Sequence, residues 1–208
     1  MMGNLRSKGF TLIELAIVLV IIGIIIGAIL KGQDLIQSAR TKKFINDAGR
    51  QWETIVWMYY DRMGRFPGDS DMNGIIGDGS TEDPKTDIDN AKFIYPPTNP
   101  VQLGSYSFYV FLGNDGDSPK PRNVLVICNS NNCVNRFTDD ELFYIRAFDT
   151  AIDGLANAGL GQVRAATAVT NVNSGKWLVS GLTVESSARD WSSANDLALV
   201  YFFDRKKP

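Results

Sequence analysis

Asp69, Asp71 and Asn73 alternate along Asp69-Ser70-Asp71-Met72-Asn73-Gly74-Ile75-Ile76. Oxygen-bearing side chains two residues apart, then a Gly that permits a sharp bend and an apolar eighth position, form the first half of a calcium loop. The bend turns three side-chain oxygens toward one point, where a hard divalent cation offsets their mutual repulsion. The reading assigns Asp69, Asp71, Asn73, the backbone carbonyl of Ile75 and Asp78 as ligands of one Ca2+. The second half departs from the pattern. Ser80 stands where a bidentate Glu is usual, so Asp78, Glu82, Asp87 or Asp89 must replace it. The competing reading is an ordinary turn, because Asp, Asn and Gly favour turns without any ion. A second cluster, Asn114-Asp115-Gly116-Asp117, has too few ligands to stand alone, and Asp115 and Asp117 enter only as contributors to another site.

Two further residue types bound the chemistry. The two cysteines, Cys128 and Cys133, enclose Asn129-Ser130-Asn131-Asn132, a turn-forming centre. In an oxidising compartment that spacing reads as a disulfide across a small hairpin. A metal site lacks its second pair of ligands, and free buried thiols are the remaining alternative. The chain contains no His, so neither a Ser-His-Asp nor a Cys-His arrangement can be built. It also lacks a phosphate-binding glycine loop and a G-x-S-x-G elbow. Asp149 and Asp153 share a helix face at i, i+4, but read as solvent-exposed and capping groups rather than a catalytic pair. The expectation is a protein that is not an enzyme. Its formal charge of −2 gives no case for nucleic-acid binding.

The acidic loop and the cysteines must be held by a scaffold. Leu35, Ala39, Ile45, Ala48, Trp52, Ile55, Tyr59 and Met63 recur at helical spacings, with charged residues between them. They predict a long helix ended by Gly64 and Pro67. Its later, amphipathic part needs a sheet to cover it. Residues 64 to 104 read as a long loop, rich in Gly, Asp, Asn and Pro. Strand-like runs follow at 105–112, 123–128, 176–184 and 197–203. Between them, Thr138-Asp139-Asp140-Glu141 reads as an N-cap with an acidic first turn, opening a helix that Asp153-Gly154 ends. The fold class is α+β, a long N-terminal helix packed on an antiparallel sheet.

The head of that helix differs from the rest. From Phe10 to Leu30 the chain is apolar apart from Thr11 and one charge, Glu14. These 21 residues make a helix of roughly 30 Å, enough to cross a bilayer core. Arg6 and Lys8 precede the run, which predicts a single pass with the N-terminus cytoplasmic and the remainder outside. A secretory signal peptide fits less well, because the run is long and no small-residue cleavage site closes it before Lys31. A carboxylate within a membrane span is costly and marks a functional position. Gly23-Ile24-Ile25-Ile26-Gly27 adds a small-residue face that permits close helix packing.

Lys8-Gly9-Phe10-Thr11-Leu12-Ile13-Glu14 resembles the cleavage signal of type IV pilins and type II secretion pseudopilins. The resemblance implies a leader, residues 1–9, removed after Gly9 by a prepilin peptidase, and N-methylation of Phe10. Loss of Arg6 and Lys8 from the 21 basic residues would leave 19 against 23 acidic ones. The resemblance further implies a membrane and filament-core helix over 10–30 and an exported pilin-like domain over 31–208. Glu14 would pair with the Phe10 amino group of a neighbouring subunit. The implied partners are other pilin or pseudopilin subunits, an inner-membrane assembly platform and membrane lipid. The subunit would sit in the inner membrane before assembly and in a periplasmic or extracellular filament afterwards. Many major pilins carry a Pro about twenty residues into the mature helix. Leu30-Lys31-Gly32 stands there instead, which favours a minor pilin or a pseudopilin. The alternatives are a tip-located binding module and a secretion pseudopilin contacting exported substrate. Many major pseudopilins also hold calcium, in a loop after their sheet begins.

Overall fold

The computed structural model describes residues 10–117 and 119–204. Gly9 and the proposed leader, 1–9, lie outside the described residues. The described chain divides between Arg40 and Thr41 into two compact units.

The first unit is helical. Helix α1 (Leu12–Ile45) starts at Thr11, whose hydroxyl accepts from the backbone N–H of Glu14 at 3.3 Å. The Glu14 carboxylate in turn accepts from the backbone N–H of Thr11 at 2.7 Å and from its hydroxyl at 2.8 Å. This reciprocal capping box satisfies two N–H groups that a helix start otherwise leaves orphaned. The large apolar residues between Leu12 and Leu30 are exposed along the helix. By length and composition, this is the one helix among the described residues able to cross a membrane.

In the second unit the helix runs on through a π-helical turn (Asn46–Arg50) into α2 (Gln51–Met63). Gly64 ends it in the left-handed conformation, φ 72°, donating its N–H to the Tyr60 carbonyl at 2.8 Å. The buried stripe is Phe44, Ala48, Trp52, Ile55, Val56 and Tyr59. Leu35, Ala39 and Met63, expected on that stripe, are exposed, and Ile45 is half-buried. The π-turn adds a residue to the helical register, so Phe44 points inward, and Gly49 lies against the ring of Phe148.

Residues 64–104 carry more structure than their composition predicts. A short helix α3 (Pro84–Asn90) is capped by Asp83, and strand β1 (Val101–Leu103) precedes the first predicted strand. Then come β2 (Tyr106–Asn114), β3 (Asn123–Cys128), helix α4 (Asp139–Asp153), β4 (Val163–Asn173), β5 (Leu178–Val184) and β6 (Ala198–Tyr201). The Thr138 capping box with Glu141 and the left-handed Gly154 bound α4 as the sequence predicts. Strand β4 occupies a stretch where the sequence predicts no strand. Its Ala and Thr residues give no apolar alternation, and it becomes a strand because it pairs with both β5 and β6.

The sheet order is β1-β2-β3-β6-β4-β5, antiparallel throughout except that β5 also meets β2 in parallel at Leu112↔Leu178 and Gly113↔Val179. The five strands from β2 to β5 therefore close on themselves. Strand β3 is covered on both faces, one by each of two hydrophobic cores, so all six of its residues are buried, whereas β4 and β5 are partly exposed. Leu125 and Ile127 face the core shared with α2 and α4. Val124, Val126 and Cys128 face a second core with Phe111, Val200 and Phe202. Cys128 and Cys133 are joined by a disulfide at the edge of that second core.

Candidate functional site

The acidic loop is built by its own short-range polar contacts. Asp69 is 1 % exposed, and its carboxylate accepts from the backbone N–H groups of Asn73 and Gly74, both at 3.0 Å. Gly74, at φ 87°, makes the bend. Burial pushes the Asp69 carboxyl up and those two N–H donors oppose the shift. Asp71 accepts from the Asn73 backbone and side chain, and the Asn73 amide also donates to Asp78 at 2.8 Å. Asn73 Oδ1 accepts from the backbone N–H of Ile75. The alternating residues read from the sequence thus do fold into one turn.

Long-range contacts fasten this turn to the sheet. Asn123, at the start of β3, accepts from the Ile76 N–H and donates to the Gly74 carbonyl, both at 2.8 Å. Asn114, at the end of β2, donates to the Ile76 carbonyl. Ile76 itself is fully buried in the main core. The N–H of Gly77 reaches back to the Gly68 carbonyl. The loop is therefore a positioned element, held by two asparagines whose roles no local pattern reveals.

The fold separates the four carboxylates that the sequence offers for completing the loop. Asp87 makes a bidentate pair with Arg65, at 2.8 and 2.9 Å, and accepts from the Gly68 N–H. Burial alone would raise its carboxyl, but Arg65 and that N–H hold it below the usual range. Asp89 pairs with Lys85 at 2.6 Å. Asp78 and Glu82 instead approach Asp71, and one carboxylate oxygen from each of the three lies within 4.8 Å of the others. Glu82 is 1 % exposed, and neither of its carboxylate oxygens has a hydrogen-bond partner. Burial raises its carboxyl. The N–H groups of Gly79 and Gly77 stand nearby and oppose that rise, without making a hydrogen bond of ordinary geometry.

Asp115 and Asp117 take a different part. Asp115 accepts from the Arg122 and Asp117 backbone N–H groups, and both carboxylates pair with the Arg122 side chain. They tie the β2–β3 connection together. Asp149 is fully buried rather than solvent-exposed, contrary to its i, i+4 reading. It accepts from Trp191 Nε1 and from the Asn157 N–H, both at 2.7 Å. Asp153 accepts from the Gln162 and Val163 N–H groups and so fixes the entry to β4.

At the other end of the chain, Phe10 is 82 % exposed ahead of the capping box that holds Glu14. Residues 4–30 match the family model of the prokaryotic N-terminal methylation motif. No curated protein and no solved structure gives a significant match to the chain. The motif and the long apolar helix together support a protein of the type IV pilin and pseudopilin type, with membrane anchoring before assembly.

Proposed function

We propose that this chain is a minor type IV pilin or a pseudopilin, inserted once in the inner membrane with its N-terminus cytoplasmic. In this reading a prepilin peptidase cleaves after Gly9 and Phe10 is N-methylated. The apolar helix then leaves lipid for the core of a periplasmic or extracellular filament. The observation that carries the reading is the methylation motif at residues 4–30, joined to a helix whose apolar residues are exposed from Leu12 to Leu30. A surface of that kind is stable only in lipid or against identical helices. Gly23 and Gly27 support close packing, since a Cβ at either would meet nothing within its own subunit. The departure at Leu30-Lys31-Gly32 supports a minor role over that of a major pilin.

N-terminal mass spectrometry of cell-derived protein, together with its quantity in sheared filaments, tests the reading. The expected result is an N-methylated Phe10 terminus and a small share of the filament mass. A start at Met1 or Met2, or a cut beyond Leu30, overturns it.

A further inference from the structure

We propose that Asp71, Asp78 and Glu82 hold one calcium ion between the acidic loop and the segment leading to α3. Three carboxylates with oxygens within 4.8 Å of one another repel in any state that leaves them all ionised. Acidic side chains at an exposed loop normally relieve this by pointing into water, as Asp71 and Asp78 are free to do. Glu82 cannot. Its side chain is buried, aimed at the other two, and without a hydrogen-bond partner on either oxygen. A buried carboxylate in this condition stays ionised only beside a cation.

Among the described residues the protein supplies none. Lys176 Nζ lies close enough to reach the backbone carbonyl of Glu82, at 3.2 Å, and makes no ion pair with its carboxylate. Lys85 pairs with Asp89, and Arg65 with Asp87. Each of these three cations therefore has another partner, and among the described residues no ion pair is made to Asp71, Asp78 or Glu82. What sits between Asp71 and Asp78 is the Asn73 amide, donating to both. It is the group a cation would displace.

The donor set selects the ion. It consists of oxygens alone, with no His in the chain and both cysteines consumed in the disulfide. That excludes the nitrogen and sulfur ligation that zinc or copper prefers. Several protein carboxylates on a bendable loop suit calcium, which takes many oxygens in irregular geometry, better than magnesium, which keeps its water. The ligand set differs from the linear motif. Asp69 lies beside Asp71 but closes the turn through Asn73 and Gly74, and the missing Glu of the twelfth position is replaced by Glu82, two residues later. The site precedes β1 and is independent of the filament reading, so neither fails with the other.

The test uses the full-length protein in detergent, titrated with calcium chloride by calorimetry and melted with calcium, magnesium or chelator. Calcium at about ten times its dissociation constant should raise Tm by roughly 3–6 °C over chelator. Magnesium should give a clearly smaller shift. Glu82→Gln should melt at least as high as wild type in chelator and lose the calcium response. Asp78→Asn, on the exposed side, should lose it too, and serves if the Glu82 variant does not fold. Asp89→Asn should keep the response intact. Equal melting in all three conditions with no heat of calcium binding overturns the proposal. So does an undiminished calcium response in the Glu82 and Asp78 variants, or a magnesium shift equal to that of calcium.

Discussion

The indole N–H of Trp191 donates to the buried carboxylate of Asp149 at 2.7 Å, linking α4 to the segment before β6 across 42 residues of chain. Burial pushes the Asp149 carboxyl up to about 6, opposed by the Trp191 and Asn157 N–H donors and reinforced by the charge of Asp153. Its second oxygen has no partner, so ionisation in the folded protein is poorly compensated.

The sign of the pH dependence follows. The folded state keeps the Asp149 proton up to about pH 6, whereas the unfolded chain releases it near 3.8. Over that interval the folded state binds more protons, so this group favours folding at low pH and its contribution is lost as pH rises through about 6. Asp149→Asn stays neutral and keeps an oxygen for both donors. Relative to this variant, wild type should gain about 1 kcal/mol of stability on going from pH 7 to pH 5. Urea unfolding of both proteins at the two pH values measures the difference, and parallel pH profiles would refute the assignment.

Gly49→Ala should destabilise the domain by about 1–3 kcal/mol or more through overpacking. A Cβ there would meet the Phe148 ring at 2.3 Å, and that ring is fully buried. Gly23→Ala, in open space, should leave the stability of the same domain unchanged. Comparing their denaturation midpoints separates a packing effect from a general cost of replacing glycine.

Replacing Cys128 and Cys133 together by Ser should cost about 2–3 kcal/mol from the lost chain constraint, because the closed loop is short. Burying two hydroxyls in the apolar second core adds to that loss. Thiol alkylation of protein isolated from cells, before and after reduction, first establishes the bond. Two thiols that alkylate without reductant would remove the basis of this prediction.

Glu14→Ala should leave the protein in the membrane, since loss of a charge eases insertion, and should deplete it from sheared filaments. In the single subunit Glu14 is already held by Thr11. Thr11→Val, which keeps the Glu14 charge but removes its hydroxyl partner, should assemble far better than Glu14→Ala if pairing with a neighbour's Phe10 is what matters. Equal depletion of both variants would instead make the helix cap the important feature.

Local chemistry carried much of this protein. The Thr138 capping box, the stop at Gly64 and the alternating Asp69, Asp71 and Asn73 all fold as their residues require, because their partners lie within a few residues, and Asn123–Cys128 is legible as a strand by its β-branched run although its partners are distant. The apolar run from Phe10 with its charge at Glu14 likewise needs no distant contact to be recognised. Strand β4 was illegible because its apolar residues follow no clean alternation, and its place is fixed by pairing with β5 and β6. Asp149 read as exposed because nothing near it in sequence announces Trp191. Among Asp78, Glu82, Asp87 and Asp89 the sequence offered four equivalent carboxylates. Only the fold could divide them, by spending Arg65 and Lys85 on two and leaving Glu82 buried beside Asp71 and Asp78. Electrostatic pairing depends on distance in space, and that distance is set by the long-range pairing of strands and helices.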